Sequence, residues 1–257
     1  MIRTKYVGPQ RGQRLAFFME QDAYRRMTKL CLESSYLYQR VMLNFRVDQN
    51  VLESRLPPGW RVEDRLGGST LTVGFCDVLE HVDAGRRPIA TPTYRYVPFN
   101  GTARGPAGLN ANWRYMTYSD RPQDSEKCLT KSARSSRSYR LTSRDGSIVV
   151  EEFYEFALER GGVMMVRVEY ERGVPRHYRY PGDGMHVRCP AEPEIEYVYR
   201  NEEWRDLILY RESRIDRVRT LDYQISVAEF NDLFDGSEQL VSVIAVPWSY
   251  RQVFSVT

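Results

Sequence analysis

Two runs of alternating polar and apolar residues, Ser147–Leu158 and Val163–Glu171, flank Arg160-Gly161-Gly162. Successive side chains of a strand point to opposite faces, so each run reads as a half-buried strand and the glycines as the hairpin turn between them. The same reading extends along the chain. Strands are expected at Gln39–Val47, Ser69–Leu79, Tyr94–Phe99, Asn112–Tyr118, Met185–Cys189, Ile195–Tyr199, Leu207–Arg211, Arg214–Arg219, Gln239–Val246 and Tyr250–Val256. Gly, Pro and Asp turns join them, with no alternation of strand and helix, which points to a largely antiparallel sheet and disfavours a dinucleotide-binding fold.

Helical signals are few. Apolar residues at Ala23, Tyr24, Met27, Leu30 and Cys31 predict an amphipathic N-terminal helix over about 20–36. Asp48 is placed to cap a short helix through Arg55, which Leu56-Pro57-Pro58-Gly59 ends, because proline cannot continue it. A helix is also expected over Pro122–Lys131, and a short one over Val227–Phe234. Beyond Lys131, arginines alternate with small residues as far as Arg144.

With 257 residues the chain can bury a sizeable core, and 12% aromatic content excludes a disordered polymer. One domain over 1–257 is expected. No apolar run approaches the ~18 residues of a membrane span. A short apolar patch at Leu15–Met19 is too small for a signal peptide, so a cytoplasmic protein is expected. The balance of 37 basic and 34 acidic residues, net +3, does not call for nucleic acid. The four cysteines, Cys31, Cys76, Cys128 and Cys189, lack metal-ligand spacing and read as isolated thiols of a reducing compartment. Only three histidines occur, and no metal or cofactor motif is present, so none is expected.

Chemistry concentrates between Arg121 and Arg144, where seven basic residues stand close in sequence. They read either as a solvated face or as a site for a carboxylate or phosphate, which arginine grips with two parallel hydrogen bonds. Lysine is rare, at positions 5, 29, 127 and 131 only. On a helix Lys127 and Lys131 would share a face. Either both are exposed, or burial and mutual repulsion lower one pKa and make it a nucleophilic amine. The second case requires Lys131 to be buried and to lack a carboxylate partner.

The motifs Phe45-Arg46-Val47-Asp48, Leu56-Pro57-Pro58-Gly59, Phe75-Cys76-Asp77, Tyr94-Arg95-Tyr96-Val97 and Trp113-Arg114-Tyr115-Met116-Thr117-Tyr118-Ser119-Asp120 together resemble the acetoacetate decarboxylase-like superfamily. The resemblance covers about 80 residues, a guide to class rather than chemistry. It implies a mainly β structure with short helices, a cone- or barrel-like antiparallel sheet enclosing a central pocket. It also implies a small oxo-acid as partner, with no cofactor, nucleic acid or membrane, and allows a homo-oligomer. Its decarboxylases form a lysine Schiff base, and relatives carry out aldolase and dehydratase chemistry. On this pattern Lys131 would be the nucleophile, Lys127 its pKa-lowering neighbour and Arg46 the carboxylate anchor. Tyr94 and Tyr96 would orient the substrate or donate protons. Two departures stand out: Tyr96 replaces the family's Glu, and Arg137 falls near its lysine position, where a guanidinium cannot form an imine. The resemblance therefore leaves open a lyase or a non-catalytic binder of small anions on the same fold.

Overall fold

The computed structural model describes residues 30–64, 68–89, 93–122, 129–159, 161–179 and 184–256. Seven strands close into a barrel: β1 (Leu30–Arg46), β3 (Leu71–Asp83), β4 (Arg95–Arg104), β5 (Asn110–Ser119), β10 (Met185–Cys189), β11 (Glu192–Tyr210) and β14 (Gln239–Val256). Neighbours around the ring are antiparallel except where β10 runs parallel to β5, with Val187 beside Asn112 and Arg188 beside Trp113, which closes the circle. Register shifts at Leu32/Ser34, Tyr38/Arg40 and Asn44/Phe45 interrupt the β1–β14 ladder. Such bulges bend and twist a strand, which lets one 17-residue run curve with the wall.

A second sheet leaves the barrel at its β5 edge. The first residues of β6 (Thr130–Arg144) pair with the end of β5, and β7 (Ser147–Leu158), β8 (Val163–Glu171) and β13 (Val218–Ser226) follow in order. The β6–β7 hairpin turns on Asp145-Gly146, both at positive φ (52° and 80°), the geometry that matches strand twist in a two-residue loop. Short strands β2 (Arg61–Glu63), β9 (Arg176–Arg179) and β12 (Ile215–Asp216) flank the barrel. Helix α1 (Gln49–Glu53) is capped by Asp48, whose Oδ1 accepts from the backbone N–H of Asn50 at 2.8 Å and of Val51 at 3.2 Å.

The main apolar core lies between the outer face of the barrel and the second sheet. Val41, Leu43 and Phe45 from β1, Val73 and Phe75 from β3, and Val97 and Phe99 from β4 meet Tyr154, Phe156, Met164 and Val166. Phe230, on a single 3-10 turn, stacks on Phe99 with ring centroids 4.2 Å apart. Burying each such Phe contributes about 1.5–3 kcal/mol. The alternate residues of β1, β3 and β4 therefore face the barrel interior.

Several expectations need correction. The predicted helix over 20–36 lies outside the described residues up to 29, and from Leu30 onward the chain is β1. Of the expected helix Pro122–Lys131, residues 123–128 lie outside the described set and Thr130–Lys131 begin β6. Ile195–Tyr199 and Leu207–Arg211 are parts of β11, and the two C-terminal runs merge into β14. Cys189 is disulfide-bonded, whereas Cys31 and Cys76 are free; Cys128 lies outside the described residues. The reading of four isolated thiols therefore fails at Cys189. No helix among the described residues is long and apolar enough to cross a membrane.

Candidate functional site in the barrel interior

Cross-strand register assembles the interior. Tyr36 lies opposite both Arg251 and His81, Arg251 is opposite Asn201, and Ser249 is opposite both Tyr38 and Glu203. Arg40 is opposite Cys76, and Cys76 is opposite Tyr96. Residues paired in this way share one face of the sheet. Tyr36, Tyr38, Cys76, Val78, Tyr94, Tyr96, Val187, Tyr197, Tyr199 and Val253 form one buried cluster, separate from the main core.

Three arginines are buried among these rings. Arg40 Nη2 donates to Glu203 Oε1 at 2.6 Å. Glu203, with no exposed surface, also accepts from Arg205 Nε at 2.7 Å and Asn201 Nδ2 at 3.0 Å. Asn201 in turn takes Arg251 Nε on its Oδ1 at 3.0 Å. Arg114 Nε donates to Asn100 Oδ1 at 3.1 Å. The guanidinium groups alternate with tyrosine rings. Arg40 and Arg251 lie 5.3 and 5.0 Å from the Tyr38 centroid, and Arg251 and Arg114 lie 4.6 and 5.6 Å from that of Tyr199. At such distances a cation is attracted to the ring face.

Burial alone would raise the Glu203 pKa, but Arg40 and Arg205 outweigh it and hold the group down at about 2. Burial likewise opposes the Arg40 charge and Glu203 restores it, so both groups stay ionised. Burial pushes the Cys76 thiol and the Tyr38 and Tyr96 phenols up, which keeps all three protonated near neutrality. Two buried polar atoms, Tyr38 Oη and Arg40 Nε, have no hydrogen-bond partner among the described residues. Buried polar groups are nearly always satisfied, and exceptions also occur on the other side of the wall, at Arg137 Nε and Tyr154 Oη, so the pair draws its interest from the arginines beside it. At the far side Tyr94 Oη lies 3.3 Å from His81 Nδ1, and His81 stacks on Tyr36 at 4.0 Å.

The residues singled out from sequence divide among four places. Tyr94 and Tyr96 belong to the interior cluster. Arg46 does not: it stands exposed at the end of β1, where it donates to Gly68 O at 3.2 Å and pairs with Glu212 at 3.3 Å. Alternation gave it the same parity as Met42 and Asn44, but by Arg46 the strand has reached the rim. Arg137 is partly buried on the opposite side of the wall. It pairs with Asp77, donates to Gln39 Oε1 at 2.9 Å and approaches Glu152 at 3.5 Å. Lys131 is half-exposed and ion-paired with Glu229, which also accepts from Tyr118 Oη at 2.7 Å. Neither condition for an amine nucleophile, burial or the absence of a carboxylate partner, is met there. Lys127 lies outside the described residues.

Sequence reading missed Arg40, Arg114, Arg251, Glu203, Tyr38 and Tyr199. Arg40 stands within the predicted strand Gln39–Val47 and Arg114 within a quoted motif. The available signal was a charged residue at an inward position of an apolar strand. Among the described residues no three His, Cys, Asp or Glu side chains converge as a metal site.

A closed seven-strand barrel with a sheet added on one side, its interior lined by tyrosine and arginine, has the acetoacetate decarboxylase-like fold. The solved structures it resembles include the enduracididine biosynthesis enzyme MppR complexed with pyruvate (TM-score 0.55, 13% identity, 86% of this chain and 88% of that one). Another is an acetoacetate decarboxylase-like enzyme from Sphingomonas wittichii RW1 (TM-score 0.54, 12% identity, 87% and 91%). MppR complexed with the condensation product of pyruvate and imidazole 4-carboxaldehyde also matches (TM-score 0.51, 12% identity, 86% and 87%). No family model and no curated protein matches the sequence.

Proposed function

We propose that the chain binds a small oxo-acid inside the barrel, its carboxylate held by the buried arginines, and that it does so without an imine to Lys131. The observation that carries this reading is the interior cluster of Arg40, Arg114 and Arg251, with Arg40 Nε and Tyr38 Oη still open to a ligand. Arginine's planar fork suits a carboxylate, and a buried guanidinium gains most from a charged partner. The oxo-acid class is supported by the pyruvate complex of a protein with the same fold. Tyr94 and Tyr96 would orient the bound anion. Lys131, paired with Glu229 outside the barrel, is left out of the site.

Calorimetric titration with pyruvate and acetoacetate tests binding, and borohydride reduction read by intact mass tests for an imine. Saturable heat that Arg251→Gln abolishes, with no borohydride adduct, is expected. Binding unaffected by Arg251→Gln, or no binding at all, would refute the proposal. A borohydride adduct would make the chain a Schiff-base lyase instead, with Lys127 the first residue to examine.

A further inference from the structure

Strand register explains why the hydroxyl of Tyr38 is left over. Tyr38 lies on β1 between Val78 of β3 and Ser249 of β14, directly opposite each. Val78 has no polar side-chain atom, and the Ser249 hydroxyl donates to Glu203 Oε1 at 3.4 Å. Tyr38 has no exposed surface, and its Oη has no hydrogen-bond partner among the described residues. Burial pushes the phenol up, so it keeps its proton near neutrality and presents an O–H.

An open hydroxyl alone does not make a site, since Tyr154 Oη is open as well. Tyr154 packs into the apolar core between the wall and the second sheet, whereas Tyr38 shares the barrel interior with the arginines assigned above to the ligand carboxylate. Arg40 is the next residue on its face of β1, opposite Cys76 as Tyr38 is opposite Val78. The Arg40 guanidinium carbon lies 5.3 Å from the Tyr38 ring centroid, and Arg40 Nε is also open. The carboxylate and oxo carbons of a 2-oxo acid are bonded to each other, so reading both takes two donors side by side. A guanidinium suits the carboxylate, and a neutral O–H suits a carbonyl oxygen, which accepts but cannot donate.

Building on the oxo-acid reading, we propose that Tyr38 is the specificity-determining residue of the site: its Oη donates to the 2-oxo oxygen while Arg40 takes the adjoining carboxylate. An acid without the oxo group leaves that hydroxyl buried and unpaired, a cost that the oxo acid avoids. The barrel thereby selects 2-oxo acids over simple carboxylates. The same bond draws electron density onto the oxo oxygen and polarises the carbonyl.

The test compares pyruvate with propanoate, which lacks only the oxo group, by calorimetric titration of the full chain. Pyruvate is expected to bind at least about tenfold tighter, the scale of one buried hydrogen bond made rather than left unmade. Tyr38→Phe should bring the two acids to within about threefold by weakening only pyruvate. Infrared spectra of pyruvate labelled with carbon-13 at the oxo carbon give a second readout. Its carbonyl stretch should fall on binding to the wild type and stay at the free value with Tyr38→Phe. Because the hydroxyl has no partner among the described residues, Tyr38→Phe should unfold at a temperature no lower than the wild type. Equal binding of both acids by the wild type, or a preference or spectral shift that survives Tyr38→Phe, would overturn the role of Tyr38 and leave the carboxylate site standing. A variant that loses stability and binds neither acid would make Tyr38 structural and overturn it as well. Absence of binding of either acid by the wild type would remove both readings.

Discussion

The two sides of the barrel wall hold buried charge in opposite ways. Outside, between the wall and the second sheet, Arg137 bridges Asp77, Gln39 and Glu152, while Arg95 pairs with Asp77 at 2.8 Å and donates its backbone N–H to Asp120 at 2.8 Å. Tyr170 completes Glu152 with a hydrogen bond of 3.1 Å. Among the described residues, carboxylates there match or outnumber guanidiniums, although Arg137 Nε and Tyr154 Oη have no hydrogen-bond partner. Inside, among the described residues, the buried Arg40, Arg114 and Arg251 stand beside one buried carboxylate, Glu203, and Tyr38 Oη and Arg40 Nε likewise have no hydrogen-bond partner. The contrast teaches that neither burial of charge nor an unpartnered polar atom by itself marks a site; what sets the interior apart is the ratio of arginine to carboxylate among its described residues.

The largest expected effect falls on the outer network. Arg137→Met would leave Asp77 and Glu152 buried without their shared cation, and breaking a buried pair costs about 3–5 kcal/mol. Urea unfolding should show that loss while oxo-acid affinity in the folded protein is unchanged. A loss below about 1 kcal/mol would mean that the network is not structural.

Acid titration sharpens the contrast, because the two sides carry carboxylates shifted in opposite directions. Glu203 is held at about 2 in the folded chain, below the ~4.3 of an unfolded glutamate. Its contribution is complete above the unfolded value and is lost as pH falls from there through about 2. Burial raises Glu152 more than Arg137 lowers it. Its contribution is therefore present at low pH and is lost as pH rises through the raised value. Glu203→Gln should accordingly lower stability at neutral pH and converge on the wild type in acid. Glu152→Gln should match the wild type in acid and gain on it as pH rises. Unfolding free energies measured from pH 3 to pH 8 decide between this pattern and a common sign for both.

Smaller still is the stability effect of Arg251→Met. Replacing a buried cation that lies among like charges with an apolar chain of similar reach should shift stability by about 1 kcal/mol or less, even as it abolishes binding. Loss of both stability and binding would make Arg251 a structural residue. Last comes Lys131→Ala. An exposed ion pair contributes about 0–1 kcal/mol, so thermal unfolding should move little and binding not at all.

The strands were legible wherever alternation was clean: β7, β8 and β10 have the bounds expected from sequence. Strand β6 was hidden because its alternation is between arginine and serine rather than between apolar and polar. Asp145-Gly146 signalled it all the same, since a two-residue turn of that type needs a strand on each side. For the site, parity could be read but depth could not. Arg40, Met42, Asn44 and Arg46 share one face of β1, yet only the ring closure shows that Arg40 lies inside and Arg46 at the rim. Arg114 and Arg251 were less legible still, because their partners Asn100 and Asn201 are brought to them by strand register.

The crystal structure of the chain soaked with pyruvate tests the central assignment most directly. Ligand density inside the barrel is expected, with a carboxylate against Arg40 and Arg251 and a hydrogen bond from Tyr38 Oη. Density at the rim beside Arg46, or joined covalently to a lysine, with the buried arginines untouched, would contradict it.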